Sequence, residues 1–123
     1  MIPIFDSNIL IDCIKGIEPA TKEILDYSYR SISIITWIEV LAGARNAQEE
    51  LLIKKFMGDY FSIIPLDDQI AELASAVRRE KKLKLPDAVI LATAQHKNTL
   101  LVTRNSKDFF HKFPNVRIPY SLH

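Results

Sequence analysis

Hydrophobic positions along the chain alternate between short continuous runs and stretches with a helical period. Continuous apolar or β-branched runs of a few residues are typical of buried strands, and apolar residues at i, i+3, i+4 and i+7 are typical of amphipathic helices. Strands are predicted at residues 2–5, 31–35, 60–64 and 99–103, with a short edge at 117–118. Each gap between the first four strands contains capping residues and periodic apolar positions, which predicts a helix there.

The predicted helices begin at residues that can cap or open a helix. Asp6, Ser7 and Asn8 precede a first helix, a second is predicted at 19–27, and Thr36 with Glu39 forms a capping-box pattern that opens the third. Further helices are predicted around 51–57, from Asp68 and from Pro86.

Two features of this pattern predict the fold. Residues 88–94 are apolar on nearly every side, so this helix should be buried. Strands separated by helices need crossover connections, which favour a parallel sheet covered on both faces. The sequence therefore predicts an α/β fold with three layers (α/β/α) and a central parallel sheet of four to five strands.

Composition limits the class of protein. The chain has 123 residues, 48% of them hydrophobic and 25% charged, which predicts one globular domain spanning residues 1–123. The single cysteine excludes a disulfide framework, and three glycines are too few for either common glycine-rich phosphate loop. No apolar run is long enough to cross a bilayer, and the first residues lack a basic leader, so we expect a cytoplasmic protein without membrane contact.

Charge is distributed unevenly along the chain. Residues 1–77 contain six Lys or Arg against twelve Asp or Glu, whereas residues 78–123 contain ten against three. An acidic part beside a basic part fits a site that holds metal with carboxylates and phosphate with cations. The alternative is that the folded surface is evenly mixed, and the sequence alone does not decide between the two.

Four acidic residues stand where a parallel sheet forms its binding crevice, beyond the carboxyl ends of the strands. Asp6 ends the first strand, Glu39 lies in the predicted first turn of the third helix, and Asp87 lies in the first turn of the buried helix. Asp108 follows the last clear strand. Each of them could have only a local role, as a helix cap or a solvated loop residue.

Converging carboxylates repel one another, and a hard divalent cation relieves that repulsion. Mg²⁺ prefers oxygen ligands, and a bound ion of this kind can lower the pKa of water and neutralise charge on a phosphodiester. The placement of the acids therefore suggests a Mg²⁺-dependent hydrolase of phosphate esters. His96, His111 and His123 have no metal-ligand spacing and are predicted to be ordinary surface residues.

At these positions the sequence resembles the PIN-domain family, and most closely the VapC toxins of type II toxin–antitoxin systems. The resemblance covers nearly the whole chain and is carried by four segments in order: Asp6-Ser7-Asn8 with the apolar residues 9–11, Ile38-Glu39-Val40 with Gly43, Leu85-Pro86-Asp87-Ala88 leading into 92–94, and Leu101-Val102-Thr103-Arg104-Asn105 with Asp108-Phe109. Each segment alone is a weak signal, but four in series make a strong one.

The resemblance implies a metal-dependent endoribonuclease with an acidic triad at Asp6, Glu39 and Asp87. Asp6 and Asp87 would bind Mg²⁺ directly, and Mn²⁺ would substitute for it. The fourth acid is less clear, because family members place it where this chain has either Asn105 or Asp108. We assign it to Asp108, whose contact with the metal, like that of Glu39, could pass through water.

Three further residues receive supporting roles: Thr103 and Asn105 would assist the acids, and Arg104 would face the RNA.

The resemblance also implies two protein partners, a cognate antitoxin and a second copy of the chain. There is also a physical reason to expect a homodimer, because five large apolar residues cover more than one face of a single helix: Leu51, Leu52, Ile53, Phe56 and Met57. Exposed apolar patches of this kind mark protein–protein sites, and one patch could receive an amphipathic antitoxin helix. The alternative is that the domain itself buries both faces.

Two rival functions remain open at this point. A phospho-receiver signalling domain has a similar length, a parallel sheet and Mg²⁺ held by acids, and the pair Asp67-Asp68 together with Thr103 could serve it. A receiver, however, needs paired acids after its first strand, where this chain has one. A PIN-like module that binds RNA without cutting it is favoured only by the amide at Asn105.

Overall fold

Five short parallel strands form the central sheet, in the order β3-β2-β1-β4-β5. The computed structural model describes residues 1–109 and 113–122, so the prediction for His111 and His123 lies outside the described residues. The strands are β1 (Ile4–Phe5), β2 (Ser31–Ser33), β3 (Ser62–Ile64), β4 (Leu101–Val102) and β5 (Val116–Arg117). The central strand β1 pairs with β2 through Ile4 and Ser31 and with β4 through Ile4 and Leu101.

Seven helices lie within the part of the chain that the structure describes. They are α1 (Ser7–Ile14), α2 (Glu18–Leu25), α3 (Ile34–Leu41), α4 (Ala47–Tyr60), α5 (Asp68–Lys81), α6 (Leu85–His96) and α7 (Ser106–Phe109). Together with the all-parallel sheet they confirm the predicted α/β fold.

The sheet separates two apolar clusters, because alternate residues of a strand point to opposite faces. Ile4 and Leu101 pack with Ile90, Leu91 and Ala94 of α6 on one face. On the other face, Phe5 and Val102 pack with apolar residues of the first four helices. All residues from 88 to 94 are buried, which confirms the prediction for this helix. In the part of the chain that the structure describes, helices thus cover both faces of the sheet, which leaves its ends open for a site.

The main differences from the predictions concern the start of α3, the end of α4 and the presence of α7. Helix α3 begins three residues early, because Ser33 is its cap and accepts a hydrogen bond from Ile35 N at 3.0 Å. Thr36 and Glu39 therefore lie inside the helix and form no capping box, so the prediction of Glu39 in the first turn was wrong. Tyr60, predicted to open a strand, is the last residue of α4. The short helix α7 was not predicted at all.

Helix α4 has more apolar surface than the domain buries. Ile53 and Met57 lie in the core, whereas Leu51 and Leu52 are 68% and 62% exposed. Phe56 is half-buried and stacks edge to face on Phe61, so it belongs to the core rather than to the free surface. The exposed patch is thus smaller than the sequence pattern indicated.

Within residues 1–109 and 113–122, no helix has the length and apolar character needed to cross a bilayer.

Candidate active site

Asp6 follows directly after β1, at the carboxyl end of the central strand, and caps α1. Its Oδ1 accepts a hydrogen bond from Ser7 N at 2.7 Å, as expected for a helix N-cap. Its Oδ2 accepts a second from Thr103 Oγ1 at 2.7 Å and a longer one from Asn8 Nδ2 at 3.3 Å. Donors from both neighbouring segments thus fix the orientation of this carboxylate.

The carboxyl of Asp6 is only 5% exposed, and its environment favours the neutral form. Burial raises the pKa of Asp6 to about 6, and the negative charges of Asp87 and Glu39 act in the same direction. Hydrogen bonds from Thr103 and Ser7 oppose the shift but do not cancel it. Burial and the neighbouring negative charges both disfavour the ionised form of Asp6, and a bound cation would favour that form again.

Glu39 reaches the same site from the second turn of α3. Its Oε1 accepts a hydrogen bond from Ser7 Oγ at 2.6 Å. The same hydroxyl lies 3.3 Å from Thr36 Oγ1, which is fully buried. Ser7 therefore links Glu39 to the residue next to Asp6, and it ties α3 to the start of α1.

Asp87 and Asp108 complete the group of acids. Pro86 opens α6, and Asp87 follows it in the first turn, where a negative charge is favoured by the helix dipole. Burial raises the pKa of Asp87, and the charges of Asp108 and Glu39 raise it further, while Lys84 lowers it. Since each carboxylate disfavours the ionisation of another, the structure brings all four predicted acids into one electrostatic group.

The two supporting residues hold the segment between β4 and α7. Thr103 is fully buried, and its Oγ1 accepts from Asn105 N at 3.0 Å while it donates to Asp6. Asn105 Nδ2 donates to Asp108 Oδ2 at 2.9 Å, and Asn105 Oδ1 accepts from Asp108 N at 3.2 Å. The amide of Asn105 is thus engaged with Asp108, whose charge raises the pKa of Asp87.

The donor set of this group is entirely oxygen, which suits a hard divalent cation. Within residues 1–109 and 113–122, no three His, Cys, Asp or Glu side chains are arranged to hold an ion directly. Mg²⁺ tolerates such a site because it keeps several of its own waters and uses one or two carboxylates. The residues present therefore fit an ion with few direct ligands and water-mediated contacts to the rest.

Arg104, predicted to face RNA, is engaged in an ion pair inside the protein. Its Nε and Nη2 donate to the two oxygens of Asp12 at 2.6 and 3.1 Å, and Tyr120 Oη donates to Asp12 Oδ2 at 2.7 Å. Burial alone would raise the pKa of Asp12, but the bonds from Arg104 and Tyr120 outweigh it and the pKa is lowered. An RNA contact of Arg104 stays a prediction, and the structure gives this side chain a second task.

Sequence reasoning missed three residues around the acids. Ser7 and Asn8 were interpreted as helix caps only, although Ser7 binds Glu39 and Asn8 binds Asp6. Asn8 also contacts Thr103 Oγ1 and accepts a bond from Arg104 N at 3.0 Å. Asp12 was left out of the site. A polar pattern directly after a buried strand was the available signal for the first two, and Asp12 gave none, since its partners lie 92 and 108 residues away.

A comparison with protein families finds a match to the model described as PIN domain, over residues 4–115. A comparison with curated protein sequences finds no match.

Among solved structures, a chain of a toxin–antitoxin complex from Klebsiella pneumoniae is 43% identical and superposes with a TM-score of 0.89, covering 98% of this chain and 99% of that one. A chain of FitAcB from Neisseria gonorrhoeae is 20% identical with a TM-score of 0.79, over 96% and 98% of the two chains. DNA-bound VapBC from Salmonella typhimurium is 21% identical with a TM-score of 0.78, over 98% of each chain. The FitAcB and VapBC chains are thus similar to this chain in fold.

Proposed function

The chain belongs to the PIN-domain family, and from this membership we propose that it is a metal-dependent endoribonuclease, the toxin of a toxin–antitoxin pair. Nuclease activity is general in this family. A structure 43% identical to this chain is itself a toxin–antitoxin complex. The cytoplasmic location, where such a toxin would meet RNA, stays a prediction.

One observation carries the proposal: four carboxylates from separate parts of the chain share one electrostatic group at the carboxyl end of the sheet. Asp6 is buried there with a pKa raised to about 6, and Asp87 is raised in turn by Asp108 and Glu39. Repulsion between these carboxylates destabilises the folded protein unless a bound ligand compensates the charge. A divalent cation together with a phosphodiester is the ligand that fits.

In the proposed mechanism the acids divide the work of hydrolysis. Asp6 and Asp87 would hold Mg²⁺ directly, and Glu39 and Asp108 would contact it through water. Bound there, the ion would neutralise the phosphodiester and lower the pKa of water. Ser7 donates to Oε1 of Glu39, which leaves Oε2 to orient the attacking water. The oxygen of that water would bond to phosphorus as a P–O bond of the RNA breaks, its proton would pass to the surrounding water, and the leaving oxygen would take a proton from there.

The hydrogen bonds behind the acids have a positioning role in this mechanism. Thr103 and Asn8 donate to Asp6 Oδ2, and Ser7 N donates to Oδ1, which together fix the orientation of this carboxylate. Asn105 fixes Asp108 by two hydrogen bonds at the start of α7. Orientation of this kind is prepared before substrate binds, and preorganised groups need no rearrangement in the transition state.

The receiver alternative has less support. Asp67, one of its two candidate phosphoacceptors, caps α5 by accepting a hydrogen bond from Ile70 N at 2.8 Å. Asp68 lies in the first turn of the same helix. Neither appears among the charges that shift the pKa of Asp6 or Asp87, the acids at the carboxyl end of the sheet. Incubation with a small phosphodonor would favour the receiver if Asp67 or Asp68 became phosphorylated.

Incubation with a panel of tRNA, ribosomal RNA fragments and mRNA tests the proposed activity. We expect endonucleolytic cleavage of at least one RNA in the presence of Mg²⁺ or Mn²⁺, and none after addition of EDTA. The products are followed on denaturing gels. Folded protein that binds RNA but cuts none of the panel would identify a silent binding module, and unchanged cleavage in EDTA would refute the metal requirement.

The free energy of unfolding should fall as pH rises and should recover when Mg²⁺ is added. Because the folded pKa of Asp6, about 6, lies above its ordinary value of 3.8, the native state holds a proton that the unfolded chain has released. The free energy of unfolding should therefore fall, by on the order of 2 kcal/mol, as pH rises from about 4 to about 7 in EDTA. Added Mg²⁺ should restore it above pH 6 and have little effect near pH 5.

Urea unfolding at several pH values, with Mg²⁺ or with EDTA, measures both effects. Asp26→Asn is the control variant, since this carboxylate is exposed and pairs with Lys22. Its stability should depend on pH and Mg²⁺ in the same way as that of the native protein. Stabilisation by Mg²⁺ that is as large at pH 5 as at pH 8 would contradict the assignment.

We further propose that a groove beside Glu39 receives the antitoxin. The groove has a volume of about 310 Å³, and its apolar lining includes Ile11, Ile14, Val40 and Ile53. An amphipathic helix laid in such a groove could deliver a Lys or Arg to the carboxylates and compete with the metal. Co-purification with the small protein encoded next to this one tests the pairing.

The homodimer is proposed on the exposed pair Leu51 and Leu52, since Phe56 belongs to the core. Light scattering should show a dimer that Leu52→Glu dissociates, and a monomer before mutation would refute it.

A further inference from the structure

A surface depression at the end of α5 collects positive charge. It has a volume of about 570 Å³ and is lined by Ser75, Arg78, Arg79, Lys82 and Leu83. We call it the α5–α6 basic pocket, since it lies between the last turns of α5 and the connection to α6. The proposed catalysis uses none of its residues.

The cations around this pocket lack the acidic partners found elsewhere on the surface. Residues 78–84 contain five Lys or Arg and one acid, Glu80. The exposed ion pairs of the described chain lie on α2, on α4 and just before α4, where they join Lys22, Arg45, Lys54 and Lys55 to carboxylates. No ion pair within 4.0 Å involves a cation of the 78–84 stretch in the described residues. Like charges three and four residues apart, such as those of Arg78 and Lys82, repel one another, and an anionic ligand would offset that repulsion.

The local backbone holds two of these cations in place. Arg78 donates through Nη1 to Leu83 O at 2.9 Å, so its guanidinium is anchored across the pocket. Lys82 adopts the left-handed conformation, with φ 57° and ψ 32°, where a helix more often ends on glycine. A lysine at this position costs about 1 kcal/mol relative to glycine. The chain thus keeps a charged side chain at a position where glycine would be less strained.

The pocket is close to the acids along the chain. Only residues 82–84 connect α5 to α6, and Asp87 lies in the first turn of α6. Lys82 and Asp87 are five positions apart in the chain, so their Cα atoms cannot be more than about 18 Å apart. A polyanion with one phosphate at the acids can therefore place a phosphate a few nucleotides away in the pocket.

We propose that the α5–α6 basic pocket binds backbone phosphates of the RNA whose cleavage the proposed function assigns to the acids. The inference rests on that function for the identity of the polyanion. None of the described residues that line the pocket is aromatic, so no base stacks there on an aromatic ring, and the pocket positions the strand without reading its sequence. Its contribution to affinity should therefore depend on salt and not on base composition.

The test measures binding of a fluorescent single-stranded RNA by anisotropy, in EDTA and in the Asp6→Asn background, so that no cleavage intervenes. The pocket variant is Arg79→Gln with Lys82→Gly, which spares the anchor Arg78 and relieves the left-handed backbone. We expect about tenfold weaker binding at low salt. The slope of log K against log salt should become shallower by about 1.4, since each phosphate contact on a single strand contributes about 0.7.

Lys54→Gln with Lys55→Gln is the matched control, because it removes the same charge from paired positions on α4. This control should leave the slope unchanged. An equal loss of RNA affinity in both variants would attribute the effect to overall charge and would refute the pocket. A pocket variant that loses affinity for double-stranded DNA but binds RNA as before would refute it as well. In the cleaving protein, the pocket variant should raise KM and leave kcat unchanged.

The binding assay separates this inference from the proposed function. RNA that binds through the pocket but is not cleaved by the native protein would refute the nuclease and leave the pocket standing. RNA that is cleaved with a salt slope unaffected by the pocket variant would refute the pocket and leave the nuclease standing.

Discussion

Asp6→Asn is expected to lower the rate of RNA cleavage by about a hundredfold to a thousandfold, with RNA affinity nearly unchanged. The substitution keeps the shape of the side chain but removes the charge that would hold the metal, a loss of several kcal/mol in the transition state. It also replaces one oxygen by an NH₂ group, so Thr103 would have to reverse the hydrogen bond that it now donates. Single-turnover cleavage with Mg²⁺ and RNA binding in EDTA measure the two effects separately.

The same variant should fold at least as stably as the native protein near neutral pH. Because burial raises the pKa of Asp6 to about 6, its ionised form destabilises the metal-free protein near neutral pH. A neutral amide removes this destabilisation. Asp59→Asn, an exposed carboxylate paired with Lys55, serves as the control and should leave cleavage unchanged. Full cleavage by Asp6→Asn would show that this carboxylate is not at the reacting centre.

Much of this fold was predictable because the deciding signals are local. A buried strand followed by Asp6 and a cap, or Pro86 followed by a helix that is apolar on all sides, predicts both an element and where an acid will lie. Parallel topology then brings the carboxyl ends of neighbouring strands together. The placement of Asp6 and Asp87 needed no information from distant parts of the chain.

Other features depended on contacts that the sequence does not reveal. Ser33 and Thr36 can both cap a helix, and Thr36 instead lies fully buried within contact of Ser7, 29 residues away. Four residues, the length of α7, are too few for a helical period to show. The ion pair of Asp12 with Arg104 joins segments 92 residues apart, so Arg104 resembled a free cation beside the acids.

That ion pair also holds the segment on which the acids depend. Asp12 is buried, with 3% of its side chain exposed, while that of Arg104 is 31% exposed. Arg104 N donates to Asn8, and the preceding residue, Thr103, donates to Asp6. Loss of the guanidinium would therefore leave a buried carboxylate with one remaining donor, Tyr120, and would loosen the residue that orients Asp6.

Arg104→Met is accordingly expected to lower the free energy of unfolding by about 2–3 kcal/mol and kcat by about tenfold. Methionine keeps the aliphatic bulk and removes only the charged donors, so the cost is that of an unpaired buried charge. Because the folded pKa of Asp12 is lowered, the pair stabilises the protein above the ordinary pKa of 3.8 and is lost as pH falls through the folded value. The stability difference from the native protein should shrink at acid pH.

Arg117→Met separates stability from positioning, since the Arg117 side chain makes a similar pair with the buried Glu23, at 2.7 and 2.9 Å. Neither charge of that pair is among those that shift the pKa of Asp6 or Asp87. Both variants should unfold more easily in urea, but only Arg104→Met should lower kcat in a cleavage assay under folding conditions. A rise in KM with unchanged kcat for Arg104→Met would instead assign this side chain to the RNA. Equal kcat in the two variants and the native protein would mean that the ion pair stabilises the fold without orienting Asp6.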